Sequence, residues 1–204
     1  MSSALDFLQE MIGARPIEIA AFLLGIANIA LLVRRSVWNY PFGIATVILW
    51  AIVFFDARLY SDALLQIFFV VVQAYGWAHW LTRRDRQGLV IVERLAARSA
   101  ILYGLVAIAI TAGLGGFMAS YTDAVFPFWD ASVAALSVVA QIMLARRRLE
   151  NWLVWIAVDI DAVALYWTRE LYPAAALYML FLVICIIGYF GWRRAWARGE
   201  AVAA

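Results

Sequence analysis

The sequence predicts an all-α integral membrane protein: seven transmembrane helices arranged three plus one plus three, as two parallel three-helix repeats joined by a linking helix. Three observations predict it. The 204 residues are 67% hydrophobic, with a mean hydropathy of +0.87 and only 15% charged, against about 25% charged in soluble domains. The apolar residues fall into seven runs, each close to the roughly 20 helical residues that cross about 30 Å of hydrocarbon. The chain also matches itself at an offset of 112 residues.

The runs lie at 17–33, 38–55, 60–80, 98–118, 125–145, 151–168 and 172–192. Arg34-Arg35-Ser36, Asp56-Ala57-Arg58, the polar stretch 82–98, Tyr121-Thr122-Asp123, Arg146-Arg147-Arg148 and Arg169-Glu170 separate them. None alternates apolar with polar, which excludes a transmembrane β-barrel. The first 18 residues hold Asp6, Glu10 and Glu18 against Arg15 alone. They lack the basic start of a cleavable signal peptide, and the segment is expected to be retained.

Every basic residue is Arg, and the net charge of +2 gives no reason to expect a nucleic-acid partner. The placement of the Arg is more informative. They concentrate at every second break: Arg34 and Arg35; Arg83, Arg84, Arg86, Arg94 and Arg98; Arg146 to Arg148; then Arg193, Arg194 and Arg198. By the positive-inside rule the N-terminus is outside and the C-terminus cytoplasmic. Loop 82–98 is thus read as a topology determinant rather than a site for nucleic acid or anionic lipid. Cys185 is the only cysteine. It excludes an intrachain disulfide or a cysteine-built metal site and reads as packing.

At the 112-residue offset, 34–80 aligns with 146–192 without a gap, with 14 of 47 positions identical. Arg34-Arg35 falls on Arg146-Arg147, Asn39 on Asn151, Leu59-Tyr60 on Leu171-Tyr172, Phe69 on Phe181, Gly76 on Gly188 and Trp80 on Trp192. Three helices end on the opposite side from where they start. Coincident Arg pairs therefore require one extra crossing between the copies, and the fourth helix supplies it. The expected division is an extracytoplasmic segment 1–16, a first repeat 17–80, a loop and linking helix 81–124, a second repeat 125–192 and a cytoplasmic tail 193–204. Parallel repeats about an axis along the membrane normal resemble SWEET-type transporters, in which substrate sits near mid-membrane at the repeat interface.

Polar and aromatic stripes mark the expected interior. Gln66, Phe69, Gln73, Trp77 and Trp80 step by three or four, as do Asn39, Gly43, Thr46 and Trp50; Asn151, Trp155 and Asp159 step by four, with Tyr166 seven further on. Asn, Gln or Asp facing lipid costs several kcal/mol, so such groups turn inward. Two readings compete for them: bonds between helices, worth about 0.6 kcal/mol each, with Trp and Tyr in interfacial belts, or a ligand path. Trp38, Trp77, Trp80, Trp192 and Trp196, near helix ends, are assigned to the belts. Trp50, Trp155, Gln66, Gln73 and Asp159 lie deeper and are assigned to the path. Repeat-related positions diverge (Gln66 with Tyr178, Gln73 with Cys185, Gly43 with Trp155), as an asymmetric ligand would require. Trp faces with amides at a ring edge suit a small aromatic, even cationic, solute.

Asp159 and Asp161 lie roughly 12 and 15 Å into their helix, close to the midplane. Ionised there, each costs about 2.5 to 3.5 kcal/mol. Two residues turn a helix by about 200°, so the pair cannot form one site. Asp159 continues the Asn151 stripe; Asp161 points toward a neighbouring helix or subunit. His79, the only histidine, is at the end of the third helix, where it can form no mid-membrane nucleophile dyad. With no cofactor or metal motif either, the chain reads as a non-enzyme. Proton coupling through Asp159 stays open as an alternative.

"WNYPFG" at 38–43, "LYSDALLQIFFVVVQAYGWAHW" at 59–80, "FPFWD" at 126–130, "ENWLVW" at 150–155 and "LYPAAALYMLFLVICIIGYFGW" at 171–192 together resemble the PnuC-type vitamin transporters. The resemblance implies a bacterial cytoplasmic-membrane homotrimer that equilibrates nicotinamide riboside by facilitated diffusion. Accumulation would follow phosphorylation by a cytoplasmic nucleoside kinase, and no ion coupling is implied. Carried over by position, the ligand contacts would be Asn39, Gln66, Asn151 and Trp155. Trp50, Gln73, Asp159 and Tyr178 are added from facing and depth. Asp161 departs from the family pattern, which leaves thiamine or another ring-bearing vitamin as alternative substrates.

Overall fold

The computed structural model describes residues 15–203 other than 57–59, 86, 169 and 171, without the side chains of 60–62, 172–174 and 200–203. Ala57, Arg58, Leu59, Arg86, Arg169, Leu171 and nearly all of the expected segment 1–16 thus lie outside the described residues. Seven helices fill the described chain: α1 Pro16–Val33, α2 Asn39–Asp56, α3 Tyr60–Leu81, α4 Ala97–Tyr121, α5 Pro127–Ala145, α6 Asn151–Thr168 and α7 Tyr172–Ala203. Six are long and apolar enough to cross a membrane. The other, α6, is 18 residues long and carries Asn151, Asp159 and Asp161.

Local chemistry sets most boundaries. Pro16 and Pro127 open α1 and α5, where a missing N–H costs nothing and φ is already helical. Phe126, restricted by the following proline, stays outside the α region at ψ 64°, so α5 starts two residues later than the apolar run. The largest departure is α7, which runs to Ala203 through the expected tail. Arg193, Arg194 and Ala195 favour helix as much as the residues before them; hydropathy ends there, but helix propensity does not.

The chain divides into two compact units, Met1–Val90 and Ile91–Ala204. In the first, α2 packs against α1 and α3; in the second, α5 packs against α4 and α6, and α6 against α7. The two units share local features at the positions that align at the 112-residue offset. After α1, Arg35 takes φ 59° while its N–H bonds Leu32 O (2.9 Å) and the Ser36 N–H bonds Leu31 O (3.0 Å). After α5, Arg147 takes φ 61°, its N–H bonds Leu144 O (2.8 Å) and the Arg148 N–H bonds Met143 O (2.9 Å). This is a Schellman turn, which normally uses Gly at the left-handed position; a non-glycine there costs roughly 1 to 2 kcal/mol.

The two arginine side chains explain the choice. Arg35 Nη1 donates to Val90 O (3.0 Å), and its own carbonyl accepts from Val90 N–H (3.1 Å). Arg147 Nη1 donates to Ile91 O (3.1 Å), Nη2 to Glu93 Oε1 (2.5 Å), and its carbonyl accepts from Glu93 N–H (3.0 Å). The first turn is thereby tied to Val90 within its own unit, and the second to Ile91 and Glu93 within its own.

The aromatic core repeats as well. Tyr40 meets Trp80 edge to face at 5.1 Å and 88°, and Trp152 meets Trp192 at 5.6 Å and 84°. A Cβ on Gly76 would lie 2.5 Å from the Tyr40 hydroxyl, and one on Gly188 2.5 Å from the Trp152 indole. Only a glycine lets these rings lie on the helix backbone. Trp80 and Trp192 are both 0% exposed, which corrects their assignment to a lipid-facing belt. Depth along a helix does not reveal facing, and here each Trp turns inward to meet a ring, Tyr40 or Trp152, that itself lies on a glycine.

Candidate functional site

In the first unit, polar groups gather between α1, α2 and α3. Asn39 and Gln73 are buried. Asn28 Nδ2 donates to Asn39 O at 2.7 Å, and Asn39 Nδ2 donates to Ser36 O at 2.6 Å. Gly43 lies against Gln73 Oε1 and Asn28 Nδ2, and any Cβ there would collide with both. The missing side chain leaves room for two amides. Gln66 is half-buried two turns from Gln73, and Trp50 stacks on Phe54 at 5.6 Å and 26°. The structure thus gathers Asn39, Gly43 and Gln73, whereas Trp50 and Gln66 lie further along their helices.

In the second unit the stripe runs along α6. Asn151 is fully buried at its N-terminus, with Nδ2 donating to Arg148 O at 2.5 Å. This repeats the Asn39 bond to Ser36 O. Asp159 is 3% exposed and takes a hydrogen bond from the Cys185 thiol on α7. Tyr178, two turns before Cys185 on the same side of α7, packs on Tyr166 at 5.3 Å and on Phe181 at 5.8 Å. Trp155 is half-buried. Three buried side-chain atoms of α6 have no hydrogen-bond partner among the described residues: Asn151 Oδ1, Trp152 Nε1 and Asp159 Oδ2. An unpaired buried polar atom costs roughly 1 to 3 kcal/mol, so α6 carries an unmet capacity to bind polar groups.

Sequence reasoning missed Asn28, which lies outside the aligned repeat segment and whose offset partner is Ala140. It also missed the partners of Asp161. Asp161 Oδ1 accepts from Trp129 Nε1 (2.6 Å) and Oδ2 from Ser132 Oγ (2.8 Å), both on α5. Asp159 and Asp161 do face opposite sides of α6, toward α7 and α5 respectively.

With this geometry in view, comparison with known proteins is decisive. The sequence profile described as nicotinamide mononucleotide transporter matches residues 15–194. The chain belongs to the nicotinamide mononucleotide transporter family. Within it, the chain is similar to the nicotinamide riboside transporter PnuC of Escherichia coli, at 29% identity over 202 residues, covering 86% of this chain and 84% of that protein. It is also similar, at 29% identity over 189 residues, to the riboflavin/roseoflavin transporter RibM of Streptomyces davaonensis, covering 87% and 83%. A crystal structure of the vitamin B3 transporter PnuC shares the fold, with a TM-score of 0.75 at 22% identity over 94% of this chain and 86% of that one. Family membership makes the chain a multi-pass membrane transporter.

Proposed function

We propose that this protein carries nicotinamide riboside across the bacterial cytoplasmic membrane by facilitated diffusion. The match along 15–194 to a nicotinamide mononucleotide transporter profile, with a relative named for nicotinamide riboside, carries this reading. In it, all seven helices cross the membrane in the three plus one plus three arrangement, with the N-terminus outside and Arg-rich turns in the cytoplasm. The protein acts as a homotrimer, and a cytoplasmic nucleoside kinase traps the substrate as its phosphate. The proposed contacts are Asn39, Trp50, Gln66 and Gln73 from the first repeat and Asn151, Trp155, Asp159 and Tyr178 from the second. Their chemistry supports a nucleoside with an aromatic cation: amides for ring and sugar, indoles for the flat face, and a carboxylate for the charge. The unpaired Asn151 Oδ1 and Asp159 Oδ2 are acceptors of the kind a ribose hydroxyl or a carboxamide would satisfy.

The second reading is transport of another ring-bearing vitamin such as thiamine, coupled to protons through Asp159. The relative named for riboflavin and roseoflavin favours keeping it. Equilibrium binding of nicotinamide riboside, thiamine and riboflavin to the purified protein separates the substrates, with tightest binding expected for nicotinamide riboside. Undetectable binding of that nucleoside defeats the first reading. Proteoliposomes without a kinase separate the energetics: accumulation above the external concentration under a pH gradient establishes coupling.

A further inference from the structure

We infer that Asp161, together with Trp129 and Ser132, is a positioning device that fixes the rotation of α6 and thereby sets the polar face it presents; this rests on the reading that α6 lines the substrate path. Both oxygens of the carboxylate are used. Trp129 Nε1 donates to one at 2.6 Å and Ser132 Oγ to the other at 2.8 Å. The Trp129 ring is held edge-on by Phe126 at 5.8 Å, and the Ser132 hydroxyl lies 2.8 Å from Trp129 O. One carboxylate on α6 thus bridges two side chains almost one turn apart on α5, a contact that defines both rotation and height.

The contact matters because of what lies on the other side of the helix. Asp159 is two residues away and about 200° around. It faces Cys185 and Tyr178 on α7 and has one oxygen without a partner. A buried carboxylate that lacks a full set of partners tends to turn toward whatever satisfies it. A bidentate anchor on the opposite face opposes that rotation. Hydrogen bonds are electrostatically stronger in a low-dielectric interior than in water, so two of them on one side chain hold it firmly. The chemistry fits the side chains present: the Trp129 indole N–H can only donate and needs an acceptor oxygen, and the second oxygen of Asp161 meets the Ser132 hydroxyl, which can donate or accept.

The test uses the full-length protein in detergent, with nicotinamide riboside as the binding probe and methyl methanethiosulfonate as a probe of Cys185, the chain's only thiol. Asp161→Ala should raise the Kd about tenfold and speed Cys185 modification several-fold, since α6 is then free to turn away from α7. Trp129→Phe, which keeps the ring and removes the donor, should do the same, and the double variant should add little. Asp161→Asn, which retains one acceptor for Trp129, should recover the Kd to within about threefold. Ser132→Ala, the mildest change, should shift both readouts the same way and keeps the test alive should Asp161→Ala not fold. A lowered melting temperature with Kd and Cys185 reactivity at wild-type values would show a merely structural contact and overturn the inference. If the wild type fails to bind nicotinamide riboside, the transport reading falls, and Cys185 reactivity alone still decides whether Asp161 positions α6.

Discussion

The two repeat-related segments, 34–80 and 146–192, agree where the chain turns and where rings meet backbone, and disagree along the faces between. The agreement covers the left-handed Arg35 and Arg147, the Asn39 and Asn151 side chains bonding a carbonyl three residues back, and the Tyr40-Trp80-Gly76 and Trp152-Trp192-Gly188 clusters. The disagreement covers Gly43 against Trp155, Gln73 against Cys185, and Val47 against Asp159. Positions that build a helical unit tolerate little change, because dense packing and buried backbone groups allow few alternatives. Positions that meet a substrate lacking twofold symmetry have reason to differ. The difference between the segments therefore singles out Gly43, Trp155, Gln73 and Asp159 as the positions at which to test the proposed site.

The largest test of the comparison is at the glycines. Gly76→Val and Gly188→Val each force a branched side chain into a buried ring and should each cost about 3 kcal/mol, at the upper end for overpacking. Thermal unfolding in detergent should show two large and similar losses. A large loss at one glycine and none at the other would break the claim that these clusters are one scaffold element used twice.

Next come the diverged positions. Trp155→Ala should weaken nicotinamide riboside binding ten- to a hundredfold, from roughly 1.5 to 3 kcal/mol of lost apolar contact, while the melting temperature changes little because the ring is only half-buried. The repeat-related change, Gly43→Ala, should act differently. Its Cβ displaces the ends of Gln73 and Asn28, and binding should weaken several-fold through a misplaced amide. Isothermal titration reads both. A collapse of folding in place of binding would move Trp155 from site to scaffold.

Much of this was legible in the sequence. Helical apolar runs and arginine breaks located all seven helices to within a few residues, except for the extended end of α7. The 112-residue offset paired the arginines that turn out to share a left-handed turn and the glycines that turn out to lie beneath a ring. What stayed hidden depends on facing across helices. Trp80 and Trp192 looked interfacial from their depth, and only their edge-to-face partners Tyr40 and Trp152 show that they pack inward. Trp129 and Ser132 lie 32 and 29 residues before Asp161, a separation no helical period connects. Asn28 stood on a helix whose hydropathy announced nothing but a span.

The smallest effect sharpens the comparison inside the scaffold, where Arg35 and Arg147 share a backbone geometry but not an environment. Replacing either with Gly relieves roughly 1 to 2 kcal/mol of left-handed strain. At Arg35 the side-chain loss includes a bond to Val90 O and a 3.9 Å contact with Asp85, and the relieved strain offsets much of it. At Arg147, which is 3% exposed, the loss includes both Ile91 O and Glu93, and Glu93 keeps only Arg148 at 3.1 Å. Bonds to charged partners are worth about 1.5 to 3 kcal/mol each, so Arg147→Gly should destabilise by about 1 to 2 kcal/mol where Arg35→Gly is close to neutral. Adding Glu93→Gln should cost much less in the Arg147→Gly background than in the wild type, because the pair is already broken. Equal costs at the two arginines would mean that the turn carries the stability and the side chains do not. The choice of arginine over glycine at both positions would then need a different cause.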